Sequence, residues 1–564
     1  MTKQSSYLRY LPPVLWAKER EQDESKQFLG QLLCVFEKIL TGIPDGEIIG
    51  ARDHPYPPLQ QLIDTLPQLF NPRQTRQDLL PWLASWIALE LQPTWSEFQQ
   101  RRLIGEMTAI YQLRGLEQGL HTYLDIYAKT SVQPRIAIDD GSALVRTRFR
   151  ADGTATLHTF ARSQVVANTA ATQPVLIHPV ALVEITPDGE DAPFYLVADS
   201  GVDPASDDVS LQKPALWRVS ASGELPYART DSTPLPLPVH TTDDSFYRTA
   251  SAAVVDGQNR CSVISIGEPR RVDQPRSQIL RFDPPPTFAP SVLIGQTGAQ
   301  RLPAIWPVDM VLDDHQRFVI LDRGALLAGD PPNRNPANPK LIILTENADQ
   351  SLTIETHDLP NVAEPTALLF LPDDGAFIVA DATNQFSDAA ITTPANLIRV
   401  NPAAGWATTS LLHSLPPMQN PLIFPTGLVQ EGPNTLLVCD TGLRWRSKGD
   451  PSVRAMAEPA AIYRVHLDQT PPLITQVTHQ PKLVHPTKMI RTHRGELLIA
   501  DRGDSFRGTV KRNWRARPNE FGVIVHFSLQ REPTRTERNQ IRRGISQVVA
   551  EQKPNHVAWW LKSE

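Results

Sequence analysis

The residues best placed to do chemistry are five aspartates at the ends of short apolar runs: Asp199, Asp322, Asp381, Asp440 and Asp501. Carboxylates gathered at one end of a channel could hold Ca²⁺. Yet the same residue returns in the same setting each time, whereas a metal site of that kind needs an unequal set of Glu, Asn and Asp. An aspartate at a strand end followed by Thr or Gly caps a turn through local backbone amides. The five are therefore read as structural blade-end residues, with no catalytic metal. His556 offers an imidazole, but no nucleophile or ligand stands at useful spacing, so it reads as a structural histidine beside Pro554. Arg114-Gly115 reads as a helix-breaking junction rather than an anion site. Arg502, Arg507, Lys511, Arg512, Arg515 and Arg517, with Trp514 among them, form a basic cluster. A solvated loop is its default reading, and contact with an anionic subunit or lipid surface is the alternative. No phosphate loop, HExxH, CxxC or GxSxG occurs. No catalytic residue and no cofactor is expected.

The elements that must position these residues follow from length and pattern. A chain of 564 residues is too long for one core, so two or three domains are expected. The net charge of -6 gives no reason to expect a nucleic-acid partner. Three scattered cysteines, Cys34, Cys261 and Cys439, make no disulfide framework and suit a reducing compartment. The first six residues lack the apolar core of a signal peptide, and no apolar run approaches the roughly 18 residues of a membrane span. A cytoplasmic protein is expected. Prolines number 52 against 29 glycines, which suits a β-rich body with ordered turns and proline at strand starts.

Residues 1 to about 130 show helical spacing. One helix is predicted over Phe28–Leu40, stopped by Gly42 and Pro44, and a second through Leu59, Leu62, Ile63 and Leu66. A third carries Leu79, Leu80, Leu83, Trp86 and Ile87, with Pro81 tolerated near its start. A fourth opens on Thr94 and Glu97, spaced as a capping box, and Gly115 ends it. A fifth carries Leu116, Leu120, Leu124 and Tyr127.

Beyond Thr130 short β-like runs take over and repeat. Pro365-Thr366-Ala367-Leu368 precedes a run ending at Asp381, Pro425-Thr426-Gly427-Leu428 one ending at Asp440, and Pro486-Thr487-Lys488-Met489 one ending at Asp501. Earlier copies start at Pro179 and Pro307, and a degenerate copy runs through Val254-Val255 to Ser265. Successive run ends fall 66, 57, 59, 59 and 61 residues apart. Third-strand runs such as Leu216-Trp217-Arg218-Val219 and Ile462-Tyr463-Arg464-Val465 follow most copies. Six such units between about Pro174 and Phe521 predict a six-bladed β-propeller. The units resemble NHL-like six-bladed propellers, a likeness specific for architecture and silent on function. After Phe521 a strand, a helix through Ile541, Ile545, Val548 and Val549, and a final strand are predicted.

The two ends resemble the phage tail protein I-like family of contractile-tail and injection-system baseplates. The resembling residues are Tyr7-Leu8-Arg9-Tyr10-Leu11-Pro12, Leu80-Pro81-Trp82-Leu83-Ala84, Trp95 with Arg101 and Arg102, Tyr111, Arg114-Gly115, Gly119-Leu120 and Tyr127. Lys553-Pro554-Asn555-His556-Val557 resembles the family's ending, Lys-Pro-Ala-His-Thr; the sequence departs at Leu116, Asn555 and Val557. The resemblance implies a multidomain α+β protein in which a helical tail or baseplate domain is split by an inserted all-β propeller. Its expected parts are 1–150 (helical, first part), 173–519 (propeller) and 521–564 (completion of the tail-like domain). It implies a structural baseplate component of a contractile phage tail or phage-like injection system, working inside an assembled particle. Expected partners are other wedge, sheath or spike proteins, with a receptor, membrane surface or carbohydrate on the propeller and no nucleic acid. Trp95, Arg114, Gly115, Lys553, Pro554, His556, Trp559 and Trp560 are the assembly candidates. Two alternatives stay open: a calcium-dependent, lactonase-like propeller hydrolase, and a free-standing propeller scaffold.

Overall fold

A computed structural model describes residues 5–16, 28–41, 59–91, 95–128, 135–139, 141–162, 176, 178–187, 193–200, 215–223, 235–236, 248–267, 277–285, 287–294, 301–324, 338–349, 351–382, 395–416, 419–445, 454–456, 460–478, 482–503, 520–526, 534–554 and 557–563. The chain forms two compact units, Met1–Tyr127 and Ala128–Glu564. It is mostly β, with its helices gathered at the front and one more near the C terminus.

The first unit opens with a 3-10 turn, Ser6–Tyr10, and continues with α1 (Pro13–Trp16), α2 (Phe28–Thr41), α3 (Leu59–Leu69), α4 (Leu80–Trp86), α5 (Glu97–Gln112) and α6 (Glu117–Ala128). Pro81 sits in the first turn of α4, where a missing N–H costs nothing. The cap of α5 is displaced from the expected pair. Ser96 and Gln99, not Thr94 and Glu97, form the capping box. Gln99 accepts from the Ser96 amide (2.9 Å), and its side-chain NH₂ donates to the Tyr127 carbonyl (3.1 Å). A carboxylate at that position has no proton for the second bond, so the amide of Gln99 decides which box is used. Leu80, Leu103, Met107, Ile110, Tyr123 and Leu124 make the core of this unit.

The second unit begins with β1 (Arg135–Asp139), β2 (Ala143–Phe149) and β3 (Ala155–Arg162). Four groups of four strands follow: β4 (Pro179–Ile185), β5 (Phe194–Asp199), β6 (Ala215–Ser220), β7 (Leu235–Pro236); β8 (Arg248–Val255), β9 (Cys261–Gly267), β10 (Gln278–Phe282), β11 (Pro290–Ile294); β12 (Pro307–Leu312), β13 (Phe318–Asp322), β14 (Lys340–Glu346), β15 (Leu352–Asp358); β16 (Pro365–Leu371), β17 (Ala376–Asp381), β18 (Asn396–Asn401), β19 (Ala407–Ser410). Next come β20 (Pro425–Gly432), β21 (Thr435–Asp440), a small hairpin of β22 (Leu443–Trp445) and β23 (Arg454–Met456), then β24 (Ala461–His466) and β25 (Leu473–Gln476). The chain closes with β26 (Pro486–Arg491), β27 (Leu497–Asp501), β28 (Glu520–His526), α7 (Arg535–Gln552) and β29 (Ala558–Ser563).

Among the described residues these strands make six four-stranded antiparallel sheets. Five run in chain order, and the sixth is ordered β26-β27-β2-β3. The first strands β4, β8, β12, β16, β20 and β26 each lie against the next, and β26 lies against β4, so the sheets follow one another round a closed circuit. Each of these six strands carries a register shift in its first half, Pro307/Asp309 and Pro486/Lys488 among them. The degenerate second copy keeps the shift, at Ala250/Ala252, without a proline.

The sixth sheet crosses the expected boundary between residues 150 and 173. Its outer strands come from 143–162, ahead of the first repeat. Thr147 and Leu497, 350 residues apart, hydrogen-bond to each other (2.9 and 3.4 Å). Closing a loop of that length costs roughly 5 kcal/mol of chain entropy. Burying Leu144, Val145 and Leu157 contributes about 1.5–3 kcal/mol each, so closure wins. Leu144 packs with Leu182, Val197, Leu498 and Ala500, joining the sixth sheet to the first.

A three-stranded sheet, β1-β28-β29, stands beside these six. β1 pairs antiparallel with β28, Asp139 opposite Gly522, and β28 pairs parallel with β29. The strand, helix and strand expected after Phe521 are present, and α7 buries Ile541, Ile545, Val548 and Val549.

Candidate functional site

The five aspartates occupy one structural role, and it differs from a simple turn cap. Each accepts from backbone amides just before the first strand of its own sheet. Asp322 binds the amides of Ile305 and Trp306 (2.6–3.1 Å), and Asp381 those of Ala363 and Glu364 (3.0 and 2.7 Å). Asp440 binds Ile423 and Phe424 (2.8–3.1 Å), Asp501 binds Val484 and His485 (2.7 and 2.9 Å), and Asp199 binds His178 (3.0 Å). The next residue is Pro179, Pro307, Pro365, Pro425 or Pro486, which has no N–H to give. The residue after each aspartate returns a bond, as Thr441 N–H does to the Phe424 carbonyl (3.0 Å). The expected local bond exists as well from Gly442 to Asp440 (2.6 Å), from Gly503 to Asp501 (2.9 Å) and from Gly324 to Asp322. The carboxylates are thus spent on backbone amides. Burial raises Asp322 and Asp501 and pushes Asp440 up to about 6, against the lowering effect of their amide bonds. Among the described residues no group of three or more His, Cys, Asp and Glu is placed to hold a metal ion. Burial also pushes the Cys261 thiol up to about 12 and raises Cys439, which makes both poor nucleophiles.

Three side-chain arrangements were not anticipated. The first is an arginine on the third strand of several sheets: Arg281 pairs with Glu346 (2.7 Å), Arg464 with Glu431 (2.5 Å), Arg146 with Glu496 (3.2 Å) and Arg399 with Asp374. Leu144-Val145-Arg146 shares this signature with Leu397-Ile398-Arg399 and Ile462-Tyr463-Arg464, the signal that marks β2 as a sheet strand. The second lies where the sixth and first sheets meet. Arg502 donates to His178 Nε2 (2.9 Å) and lies 3.2 Å from His485 Nδ1. Burial, then the guanidinium charge, lowers His178 to about 3, so its ring is a neutral acceptor. The third is Lys488 Nζ, 2.5 and 2.7 Å from the two oxygens of Asp309.

The tail-like residues divide. Trp95 is buried edge-on against Tyr127, with centroids 6.2 Å apart. Arg101 holds the carbonyls of Pro72 and Thr75 (2.7 and 2.8 Å). Arg114 and Gly115 are exposed in the turn between α5 and α6, with Gly115 at φ +83°. Gly119 lies so close to the Leu113 carbonyl that a Cβ would meet its oxygen at 2.4 Å. Lys553 follows α7 and donates to the Val557 carbonyl (3.0 Å), closing the turn that contains Pro554. Trp559 and Trp560 are both half-buried, and Trp560 packs on Val484 and Ile524. His556, Asn555, Thr94 and the basic cluster from Arg507 to Arg517 with Trp514 lie outside the described residues.

The first unit presents an unusual surface. Of the large apolar side chains exposed among the described residues, all but Phe149, Val292 and Leu473 belong to it. Phe28, Leu32, Val35 and Ile39 are exposed along α2 at alternating spacings of four, three and four. Phe70, Trp82 and Trp86 form an exposed cluster with ring centroids 5.4–5.6 Å apart.

Residues 54–186 match the phage tail protein family, Tail_P2_I. The match takes in α3 to α6, where Trp95, Arg101, Arg114, Gly115 and Gly119 lie, and runs on through β4. The tail-like ending at 553–557 falls beyond it. No curated protein sequence matches the chain. Among solved structures, similarity is found to a nidogen/laminin complex (14% identity, 58% of this chain and 90% of that chain, TM-score 0.31). It is found also to a luciferin-regenerating enzyme (11%, 59% and 94%, TM-score 0.31) and to a protein from Lactobacillus plantarum (10%, 63% and 87%, TM-score 0.33).

Proposed function

We propose that this chain is a structural subunit of a contractile phage tail or phage-like injection particle, acting by assembly and recognition rather than covalent chemistry. The observation that carries the reading is the uneven apolar surface. A helical unit of fewer than 130 residues exposes α2 and α3 along much of their apolar length, while the larger β unit keeps such side chains inside. Exposed apolar area on that scale marks a surface that is covered in the working state. The tail-protein match over 54–186 makes other tail or baseplate proteins, such as wedge, sheath or spike subunits, the fitting cover.

In this reading the six sheets are a six-bladed propeller set into a tail domain. The support is the circuit of first strands and the antiparallel neighbours β1 and β28, which precede and follow it. The propeller serves as an outward platform for a receptor, a membrane surface or a carbohydrate. The particle assembles in the cytoplasm. The test is incorporation: Val35→Asp with Ile39→Asp alters two exposed side chains and should leave the chain folded but absent from purified particles. Normal occupancy of that variant would sink the proposal.

A further inference from the structure

Lys488 and Asp309 occupy equivalent places on strands that are not neighbours in the circuit. Each is the first residue past the register shift of its strand, and the four counterparts are Ala181, Ala252, Ala367 and Gly427. In the circuit β4, β8, β12, β16, β20, β26, the strands carrying Asp309 and Lys488 stand three places apart, which is opposite in a ring of six. The lysine therefore reaches across the middle of the ring to both oxygens of Asp309. The side chains are 16% and 4% exposed. Asp309 also accepts from the Met310 and Leu368 amides (2.9 and 2.8 Å), which fixes its carboxylate toward the neighbouring strand.

We propose that this pair specifies ring closure: it is a register device that admits the six-sheet circuit and penalises every other. A buried ion pair adds little net stability over an apolar pair, because desolvation offsets the attraction. An unmatched buried charge is strongly unfavourable, so such a pair discriminates between arrangements. The need arises here because the closing sheet is assembled from two distant pieces, β26–β27 and β2–β3. If the circuit closed with a sheet omitted, or the two pieces of the closing sheet failed to bring β26 between β20 and β4, β26 would no longer face β12, and Lys488 would lose its carboxylate. The small counterparts leave space in which only one lysine and one aspartate meet. This inference rests on the closed circuit and not on the tail role, and its test needs no particle.

The test compares the full chain with Asp309→Asn/Lys488→Met, a near-isosteric uncharged pair, after refolding from urea. Hydrogen exchange read by mass spectrometry follows peptides covering β2 and β27. The double variant should unfold at a urea midpoint close to wild type, yet show in those peptides a second, rapidly exchanging population that wild type lacks. Lys488→Met alone, which strands a buried carboxylate, should have the lower midpoint. A single protected population in the double variant, matching wild type, overturns the proposal. Failure of the double variant to fold also overturns it, by assigning the pair to stability instead of register.

Discussion

Asp440 and His178 show how a buried titratable residue writes itself into stability. Folded Asp440 holds its proton up to about pH 6, whereas the unfolded carboxyl releases it near 3.8. Its contribution is therefore full below about pH 4 and is lost as pH rises through 6. Folded His178 refuses a proton down to about pH 3, whereas the free imidazole takes one near 6.5. Its contribution is full above 6.5 and is lost as pH falls toward 3. Between pH 4 and 6 the two slopes oppose each other. Asp440→Asn removes the first, so its denaturation midpoint should fall more steeply than that of wild type as pH drops from 6 to 4. A parallel pair of pH profiles would count against this account. Asp440→Ala leaves the amides of Ile423, Phe424 and Gly442 without their acceptor. A loss of about 3 kcal/mol or more is expected, since three buried amides lose their acceptor and each unsatisfied buried group costs roughly 1–3 kcal/mol. Equilibrium unfolding in urea at pH 7 measures it. The recurrence of these aspartates was plain in the sequence. Their partners were not, because the amides they hold just before the first strand lie 16 to 21 residues earlier in the chain.

At the scale of elements, β29 depends on a glycine. A Cβ on Gly522 would lie 2.0 Å from the Trp560 ring, whose neighbours are Ile524 and Val484. Gly522→Ala should displace Trp560 and release β29 from β28. The expected signs are a red-shifted tryptophan emission and lost amide protection at 558–563, with β20 and β21 unaffected. Unchanged protection would show that the ring can shift without losing the strand. Helices were legible to within a residue or two wherever a stop signal was present, as at Gly42 for α2. The start of α5 was misplaced by two residues because two capping boxes overlap, and the choice between them is made by the distant Tyr127 carbonyl. β2 escaped the repeat reading because it lies upstream of the first repeat while pairing with the last. Its Leu-Val-Arg run was the available signal. The Lys488–Asp309 pair left no such mark, since pairing across a ring depends on the number of sheets and not on spacing along the chain.

At the scale of the molecule, the sheets set the limits of what can fold alone. A fragment spanning 141–503 carries all four strands of the sixth sheet and should be soluble, β-rich and cooperatively unfolding. A fragment spanning 173–519 lacks β2 and β3, leaves β27 as an unpaired edge and should aggregate or melt far lower. Equal melting temperatures for the two would show that β2 and β3 are dispensable. The closed β body was implied by the repeat, whereas the narrow helical faces of the first unit were expected to pack on each other, and α2 and α3 leave much of theirs exposed. Which apolar side chains stay outside was not legible, because periodicity gives a face without naming its cover. The pairing of Asp139 with Gly522 has a further consequence. Paired residues on neighbouring strands keep their Cα atoms about 5 Å apart. Whatever lies between these two residues has only to bring its two ends out side by side. In the proposed reading, any module with adjacent termini meets that demand, so one lineage of particles could exchange its recognition head for another while the socket that carries it stays unchanged.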